Sequence, residues 1–530
     1  MIKTKAFQNF VFFCLFLIFL CFAFWPAISS NYVYHDDALF FLKTPTRLEA
    51  PGAFTNLRNG RFIGSHLYIG LGFLINSVSD LKFVRFLGVA IIACCAFLFS
   101  LWLRKKNISR INSFLISLAV FTLPSFQVDA SQTAMAYQPV AILFAAGAFF
   151  AAYRISISDK IISRVLNGWF VLSVFLFFCG LATYKPTAMF YWTMAGCTVL
   201  FMGSEGIFEI KSRMVNLVLP AFASMGIYAI VLQLIKPLFP RPELLGYNSY
   251  NVSFDFLGKI AWFFKEPFFN VLNLWNIFPN KLFALFSLFL IISAIILEIL
   301  KKEKAQRKKL VKRGSILCLC LGALVVLSFL PNLIYSGNIS YYRCMGPLAA
   351  LVLLFIIWSV RSWINFIFKN GKTIFTCFLI ILSISGVALA HQTILKYRVL
   401  PSQKEFEFVL SQIQRADINQ YQRIYFIRPE EENLKKRGDE FGSLTTVYGH
   451  DIVGLVSCAL REIAKGQLEI LNIRIHYKSK TVLFIFRAVQ DKSKRMKYEI
   501  MIDSGTISEM PKHFLGKTLI IDMREFENNE

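Results

Sequence analysis

The chain has 530 residues, 56% hydrophobic and 16% aromatic, with a formal net charge of +25 and a mean hydropathy of +0.55. Repeated apolar runs of about 20 residues exclude a soluble globular protein and predict a membrane protein with many spans, built from helices because the runs do not alternate. The charge does not indicate nucleic-acid binding: from Gln392 onward 22 Lys/Arg face 19 Asp/Glu, so the excess lies in the loops between spans, where it reports topology.

The first predicted span covers residues 7–28 and follows Lys3 and Lys5. A cleaved signal peptide is the alternative, because Ala23 and Ser29-Ser30 could suit a peptidase. The length of the apolar run and the many spans after it favour a membrane anchor.

Ten further spans follow, so we predict a polytopic all-α fold with about eleven transmembrane helices. They cover residues 83–103, 111–124, 139–153, 165–183, 186–202, 214–235, 282–300, 314–330, 344–360 and 373–391. With the N-terminus in the cytoplasm, the inner loops contain 22 Lys/Arg, eight of them between Lys301 and Arg313. This distribution obeys the positive-inside rule and indicates that the long loops 29–82 and 236–281 lie outside.

Two adjacent carboxylates, Asp36 and Asp37, lie in the first outer loop directly after the first span. Charges at a membrane boundary must be solvated, paired with an opposite charge or employed in binding or catalysis. One carboxylate could act as a general base on a hydroxyl, with its pKa raised by its charged neighbour. The two could instead bind a hard divalent cation such as Mg²⁺, Mn²⁺ or Ca²⁺, or be a solvated pair in a loop. No HExxH-like zinc spacing occurs in the chain.

An Asn59-Gly60-Arg61 sequence follows in the same loop, before the apolar segment 62–78. Its glycines and polar residues, and the charge of the next loop, favour an interfacial helix over a further span. Arginine binds phosphate oxygens in a bidentate manner, so Arg61 is a candidate for a lipid phosphate, with contact to bulk headgroups as the alternative.

More polar residues interrupt the chain at predicted outer span ends, where the charge rule would deplete cations. They are Asp129, Gln132, Lys185, Tyr342 and Arg343. Each one alone could be structural. Their shared side of the membrane predicts a common polar cleft.

The segment 392–530 changes character and predicts a small α/β domain outside the membrane. We predict helices at 402–416 and 451–465, and strands at 423–427, 482–487, 498–503 and 518–522. The domain boundaries are therefore 1–391 for the membrane domain and 392–530 for the tail. The tail contains no phosphate-binding loop, zinc motif or catalytic triad.

A first span, then Asp-Asp in the first outer loop, then Asn-Gly-Arg before an interfacial segment resembles the bacterial serotype-converting O-antigen glucosyltransferases, within the GT-C class of membrane glycosyltransferases. The resemblance implies that Asp36 or Asp37 serves the acceptor, that Gly60-Arg61 matches a family motif, and that the segment from Gln127 to Gln132 and Arg343 match its later polar positions. It covers the topology of 1–391, although its specific motifs are short.

The resemblance implies an undecaprenyl-phosphate hexose donor, such as the glucose derivative, and a glycan acceptor such as the O-antigen of lipopolysaccharide. It also implies a bacterial inner-membrane location, with a periplasmic tail. Two alternatives remain. An O-antigen polymerase or ligase would favour a long late outer loop rich in basic residues. A transporter or flippase of lipid-linked sugars would favour internal repeats and broken spans at mid-membrane.

Overall fold

The structure is a computed structural model of the 530-residue chain. It describes residues 2–34, 36–37, 40, 56–57, 59–156, 161–201, 207–235, 253, 255–274, 281–300, 318–335, 337–338, 340–416, 423–427, 455–456, 458–459, 469–478, 481–491, 494–503 and 518–522. The predicted helix 451–465 is described only at four helical residues, and Arg47 and His35 of the first loop lie outside the described residues.

The described part of the chain is mainly helical up to Arg415. They are α1 (Ile2–Ala23), α2 (Trp25–Ser29), α3 (Phe62–Gly72), α4 (Asp80–Lys105), α5 (Arg110–Phe121), α6 (Pro124–Ser131), α7 (Val140–Tyr153), α8 (Ile161–Val165), α9 (Gly168–Ala188), α10 (Phe190–Leu200), α11 (Ile207–Ile235), α12 (Phe256–Lys265), α13 (Pro267–Leu272), α14 (Lys281–Leu300), α15 (Cys318–Leu327), α16 (Leu330–Ile334), α17 (Tyr342–Ile367), α18 (Gly371–Ile394) and α19 (Leu400–Arg415). A 3₁₀ turn at Thr133–Met135 precedes α7, and a π-helical turn at Leu395–Val399 joins α18 to α19.

Seven helical segments in the described part of the chain are long and apolar enough to cross a membrane, or eight if α5 and α6 are counted as one bent span. The prediction of a helical membrane protein with many spans is confirmed. The count of eleven is not reached by this criterion, because several predicted spans correspond to short helices. α10 has 11 residues, and α14 and α15 contribute apolar segments at Leu282–Leu297 and Cys318–Leu327.

The segment after Arg61 forms a single short helix, α3, and not a span. Its 11 residues would extend only about 16 Å, roughly half of a bilayer core. Exposed His66 uses its Nδ1 to contact the carbonyl of Phe62 one turn earlier. This length agrees with the interpretation of the segment as something other than a twelfth span.

Breaks in three helical segments determine where polar groups can enter the bundle. α5 and α6 meet at an angle of 67°, at Pro124. α9 is interrupted at Tyr184, which is extended (φ −157°, ψ 108°) just before Pro186, and α16 is a short turn that begins next to Pro331. Proline removes a backbone donor, and each break releases carbonyl and N–H groups that then need other partners.

Part of the tail forms a five-stranded mixed sheet with the order β2-β3-β4-β1-β5. The strands are β1 (Arg423–Ile427), β2 (Glu469–Lys478), β3 (Thr481–Asp491), β4 (Lys494–Asp503) and β5 (Thr518–Asp522). β2, β3 and β4 are antiparallel neighbours, whereas β1 runs parallel to both β4 and β5. Four strands lie at predicted positions; β2 was not predicted.

Candidate functional site

Asp37 of the first loop lies in a fully buried ion pair. Its Oδ2 accepts a hydrogen bond from Nη2 of Arg85 at 2.9 Å, and both side chains are 0% exposed. Its Oδ1 accepts the backbone N–H of Ala134 at 2.8 Å, in the 3₁₀ turn before α7. Both carboxylate oxygens are therefore engaged inside the protein.

Arg85 also holds the backbone just before the carboxylates. Its Nη2 donates to the carbonyl of Tyr32 at 2.8 Å, and its guanidinium lies 3.6 Å from the centre of the Tyr32 ring. The Tyr32 hydroxyl donates to the carbonyl of Ser131, at the end of α6. Burial, opposed by nearby Arg85, raises the pKa of Tyr32 to about 12, so the hydroxyl keeps the proton that it donates.

The pKa of Asp37 is raised above its ordinary value. Burial raises it, against the opposing effects of Arg85 and of the Ala134 N–H. The sequence-based hypothesis attributed such a rise to repulsion by the adjacent carboxylate. That attribution is wrong for Asp37, because desolvation is the main cause.

Asp36 lies in a different environment from its neighbour. It is half-buried and makes no hydrogen bond or ion pair with the residues that the structure describes. Its charge is close enough to Tyr137 to act on the tyrosine hydroxyl, as are the charges of Arg61 and Arg343. Of the two adjacent carboxylates, Asp36 is thus the one available to an incoming hydroxyl group.

The Asn59-Gly60-Arg61 sequence forms a tight turn that starts α3. Gly60 has φ +75°, in the left-handed region that favours glycine, and its carbonyl accepts the Tyr228 hydroxyl at 3.0 Å. A side chain at Gly60 would overlap that hydroxyl, and one at Gly64 would overlap the carbonyl of Thr183. Gly60 therefore allows the turn to pack directly against α11, and Gly64 allows α3 to pack against the break in α9. Asn59 is half-buried in this turn.

The turn directs Arg61 into the polar region at that break. Nη1 of Arg61 donates to Oδ1 of Asn56 at 3.1 Å, and the guanidinium lies 4.6 Å from the centre of the Tyr184 ring. The Tyr137 hydroxyl donates to the same Asn56 oxygen at 3.3 Å and also accepts a hydrogen bond from Arg61. Arg61 is thus hydrogen-bonded to Tyr137, the tyrosine on which the charge of Asp36 also acts.

Lys185 follows the break and points into the same region. It is 8% exposed and donates to the hydroxyl of Tyr335, while its Nζ lies 4.9 Å from the Tyr335 ring and 5.5 Å from the Tyr228 ring. Arg61 is close enough to act on its charge. Two cations that repel each other in a buried setting favour an anionic ligand between or beside them.

Arg343 and Asp129 line one small pocket, at the contact of α17 with α6. Ser125, Thr187 and Gly346 are among its other lining residues. Half-buried Tyr342 contributes its backbone carbonyl, which accepts the Ser125 hydroxyl.

The charge of Arg343 also acts on Tyr184, whose hydroxyl contacts Sγ of Cys344 at 3.6 Å. This contact region joins Arg343 to the surroundings of Arg61. Gln132 is buried in the turn after α6, where its backbone carbonyl accepts the N–H of Met135.

The charges of Asp36, Arg61 and Arg343 thus act together on Tyr137, and Lys185 is close enough to Arg61 for the two charges to repel each other. Asp37 is instead engaged by Arg85. Sequence reasoning missed Arg85 and the four tyrosines of this region (Tyr137, Tyr184, Tyr228 and Tyr335). A signal for Arg85 existed: it is a charge inside an apolar helix, which requires a partner.

A divalent cation shared by Asp36 and Asp37 does not fit this arrangement, because both carboxylate oxygens of Asp37 already accept hydrogen bonds, from Arg85 and from the Ala134 N–H. The other charges that act on Tyr137 are those of Arg61 and Arg343, and neighbouring cations disfavour a metal ion. In the described part of the chain, no group of three or more His, Cys, Asp or Glu could hold a metal.

Neither known protein-family models nor curated protein sequences match the chain. The function must therefore be argued from the geometry of this region.

Proposed function

We propose that this protein is a membrane glycosyltransferase of the GT-C class. It transfers a hexose, such as glucose, from undecaprenyl phosphate to a glycan such as O-antigen, with inversion at the anomeric carbon. The observation that carries the proposal is that the charges of Asp36, Arg61 and Arg343 all act on the Tyr137 hydroxyl, while Arg61 and Lys185 act on each other at the break in α9.

The proposed reaction is a single displacement. Asp36 takes the proton from an acceptor hydroxyl as its oxygen attacks the anomeric carbon of the donor. A new glycosidic bond forms, and the bond from that carbon to the phosphate oxygen breaks, with its electron pair leaving on the lipid phosphate. Attack opposite to the leaving group inverts the configuration.

The cations stabilise the phosphate, which gains negative charge as it leaves. Buried Lys185 and half-buried Arg61 and Arg343 are partly desolvated, so their interaction with an anion is stronger than in bulk water. Tyr184 and Tyr335 keep Arg61 and Lys185 in place through ring contacts and, for Lys185, a hydrogen bond. The breaks near the ends of the helices let the isoprenoid chain lie in lipid beside this polar region.

The proposal includes the topology drawn from the positive-inside rule: a bacterial inner-membrane protein with about eleven spans, a cytoplasmic N-terminus and a periplasmic domain at 392–530. With this orientation, the Asp36 end of the bundle faces the periplasm. The partners are then the lipid donor, the glycan and the bilayer.

The experiment that tests the function uses membranes containing the wild type, Asp36→Asn, Asp37→Asn or a control, Glu407→Gln, at an exposed carboxylate of α19. Transfer of labelled hexose from undecaprenyl phosphate to O-antigen is measured. We expect the control to match the wild type and Asp36→Asn to lose about 1,000-fold or more while being expressed normally. Full transfer by Asp36→Asn would contradict the proposal.

A chelator tests the role of metal in the same assay. Since Asp37 is engaged by Arg85, we propose that the base works without a divalent cation, and we expect transfer to change by less than about twofold on chelation. Loss of transfer on chelation, restored by Mg²⁺ or Mn²⁺, would show instead that Asp36 or Asp37 binds a catalytic metal.

A further inference from the structure

Arg85 is a buried cation that the proposed reaction does not use. It lies on α4, in the second turn after Asp80, and is 0% exposed. A buried arginine is tolerated only if it is paired and hydrogen-bonded, and its Nη2 serves Asp37 and the carbonyl of Tyr32 together. It thus contacts both ends of the short segment that contains the carboxylates.

The described residues on both sides of Asp36, 32–34 and Asp37, are anchored to four other parts of the bundle. Arg85 connects it to α4, the Tyr32 hydroxyl to the end of α6, and Asp37 Oδ1 to the turn before α7. On the remaining side, the guanidinium of buried Arg398, in the π-helical turn, lies 4.4 Å from the centre of the Tyr34 ring. The backbone N–H of Asp37 also donates to the carbonyl of Tyr34 at 3.0 Å, which closes a tight turn around Asp36.

We infer that Arg85 and Asp37 form a positioning pair, which fixes the turn at residues 34–37 and so directs Asp36 toward the cations, while Asp37 itself transfers no proton. This inference rests on the proposed function only in giving Asp36 the role of base. It assigns different roles to the two adjacent carboxylates: Asp36 is the base, and Asp37 positions the turn that carries Asp36.

The geometry favours this assignment over Asp37 as the base. A base needs an oxygen that can reach the proton of the acceptor, and Asp37 is 0% exposed with both oxygens in hydrogen bonds. A base at Asp37 would also have to take up its proton while facing the guanidinium of Arg85 at 2.9 Å. Asp36 meets neither obstacle.

The test compares Asp37→Asn, Arg85→Gln and the double variant D37N/R85Q. Each single change leaves one buried charge without its partner, so we expect a lower unfolding temperature and a loss of transfer of about 100-fold or more. The double variant removes both charges and keeps an amide acceptor for the Ala134 N–H. We expect it to regain the unfolding temperature and to recover transfer to within about tenfold of wild type.

This experiment distinguishes a positioning role of Asp37 from a chemical role of its carboxylate. If the double variant regains its unfolding temperature but stays as inactive as Asp36→Asn, the carboxylate of Asp37 is itself required and the inference is overturned. Adding Arg85→Gln to Asp36→Asn should recover nothing, because no uncompensated charge is removed there. Arg85→Lys, which keeps the charge but loses the fork, should lower kcat and leave the KM for the lipid donor unchanged.

The inference can fail independently of the function. If the wild type transfers no hexose, the proposed function fails, yet the unfolding temperatures of the four proteins still measure the coupling of Arg85 with Asp37. Additive temperature losses in the single and double variants would overturn the positioning pair even in a fully active enzyme.

Discussion

Two arginines at opposite ends of the helical bundle have the same kinds of neighbour but different surroundings. Arg61 stacks on the ring of Tyr184 at 4.6 Å and donates to the amide oxygen of Asn56. Arg110 stacks on the ring of Phe12 at 4.3 Å and donates to the side-chain and backbone oxygens of Gln8. Pairwise contacts alone would not distinguish them.

Their surroundings distinguish them. At the end of the bundle that carries Arg110, Lys106 and Arg213 both lie over the ring of Tyr153, at 4.8 and 4.3 Å, and Lys106 also lies over Trp102. Around Arg61, Lys185 acts on the same region and Asp36 acts on the same tyrosine. Cations stacked on an aromatic ring suit a headgroup surface, whereas cations that act on one tyrosine together with a carboxylate suit a reaction.

Replacing Arg61 should have the largest effect, and Arg110 is its matched control. Arg61→Met removes the guanidinium that faces Tyr137 and Tyr184 but keeps an apolar chain, so we expect transfer to fall by about 100- to 1,000-fold. Arg110→Met should change transfer by less than about threefold, since it removes only a surface contact. Equal losses measured in matched amounts of membrane protein would mean that both ends serve stability alone.

The difference between these two ends was partly predictable from the sequence. The positive-inside rule marks Lys185 and Arg343 as exceptions on one face, and Asp129 is a further charge at a predicted outer span end. In the structure Asp129 and Arg343 line one pocket, and Lys185 follows the break in α9. The continuous apolar runs predict the helices well, because lipid demands that each segment satisfy its own backbone.

The rest could not be predicted, for physical reasons that particular residues illustrate. Asp37 pairs with Arg85, 48 positions away, and no local pattern specifies which buried charges meet. The boundary predicted near Lys185-Pro186 coincides with a break at extended Tyr184, but the chain returns to a helical conformation as far as Ala188, before α10 starts at Phe190. Proline removes a hydrogen bond, but tertiary packing decides whether the helix ends or is only broken.

Gly60→Ala should have an intermediate effect, with Gly70→Ala in the helix that follows, α3, as its control. An alanine at Gly60 would have to adopt φ +75° and displace the Tyr228 hydroxyl, which costs about 1–3 kcal/mol and moves Arg61. A side chain at Gly70 meets nothing within 4 Å and should leave the unfolding temperature unchanged or slightly raised. Thermal unfolding in detergent and hexose transfer are both measured.

In this comparison, Gly60→Ala tests whether transfer depends on the conformation of the turn that carries Arg61, and not only on the charge of Arg61. Transfer should fall by about tenfold or more if the turn aims the guanidinium. An unfolding temperature lowered by Gly60→Ala with full transfer would show that the turn is structural and that Arg61 finds its position without it.

The smallest effect is expected at Lys259, which couples α12 to the loop that leads to Arg343. Its Nζ donates to the carbonyl of Gly337 and to Oδ1 of Asn338, both at 2.8 Å, while Glu266 accepts the Ser340 hydroxyl beside it. Lys259→Met should loosen residues 337–340 without touching the reacting groups. We expect the KM for the lipid donor to rise by about two- to fivefold with kcat unchanged, because Arg343 contributes to phosphate binding.

Lys265→Met, a change at an exposed lysine of the same helix, is the control and should change neither constant. A fall in kcat at Lys259→Met would mean that this loop also sets the geometry around Asp36, and the site would then extend further along the outer surface than the cluster of Asp36, Arg61, Lys185 and Arg343.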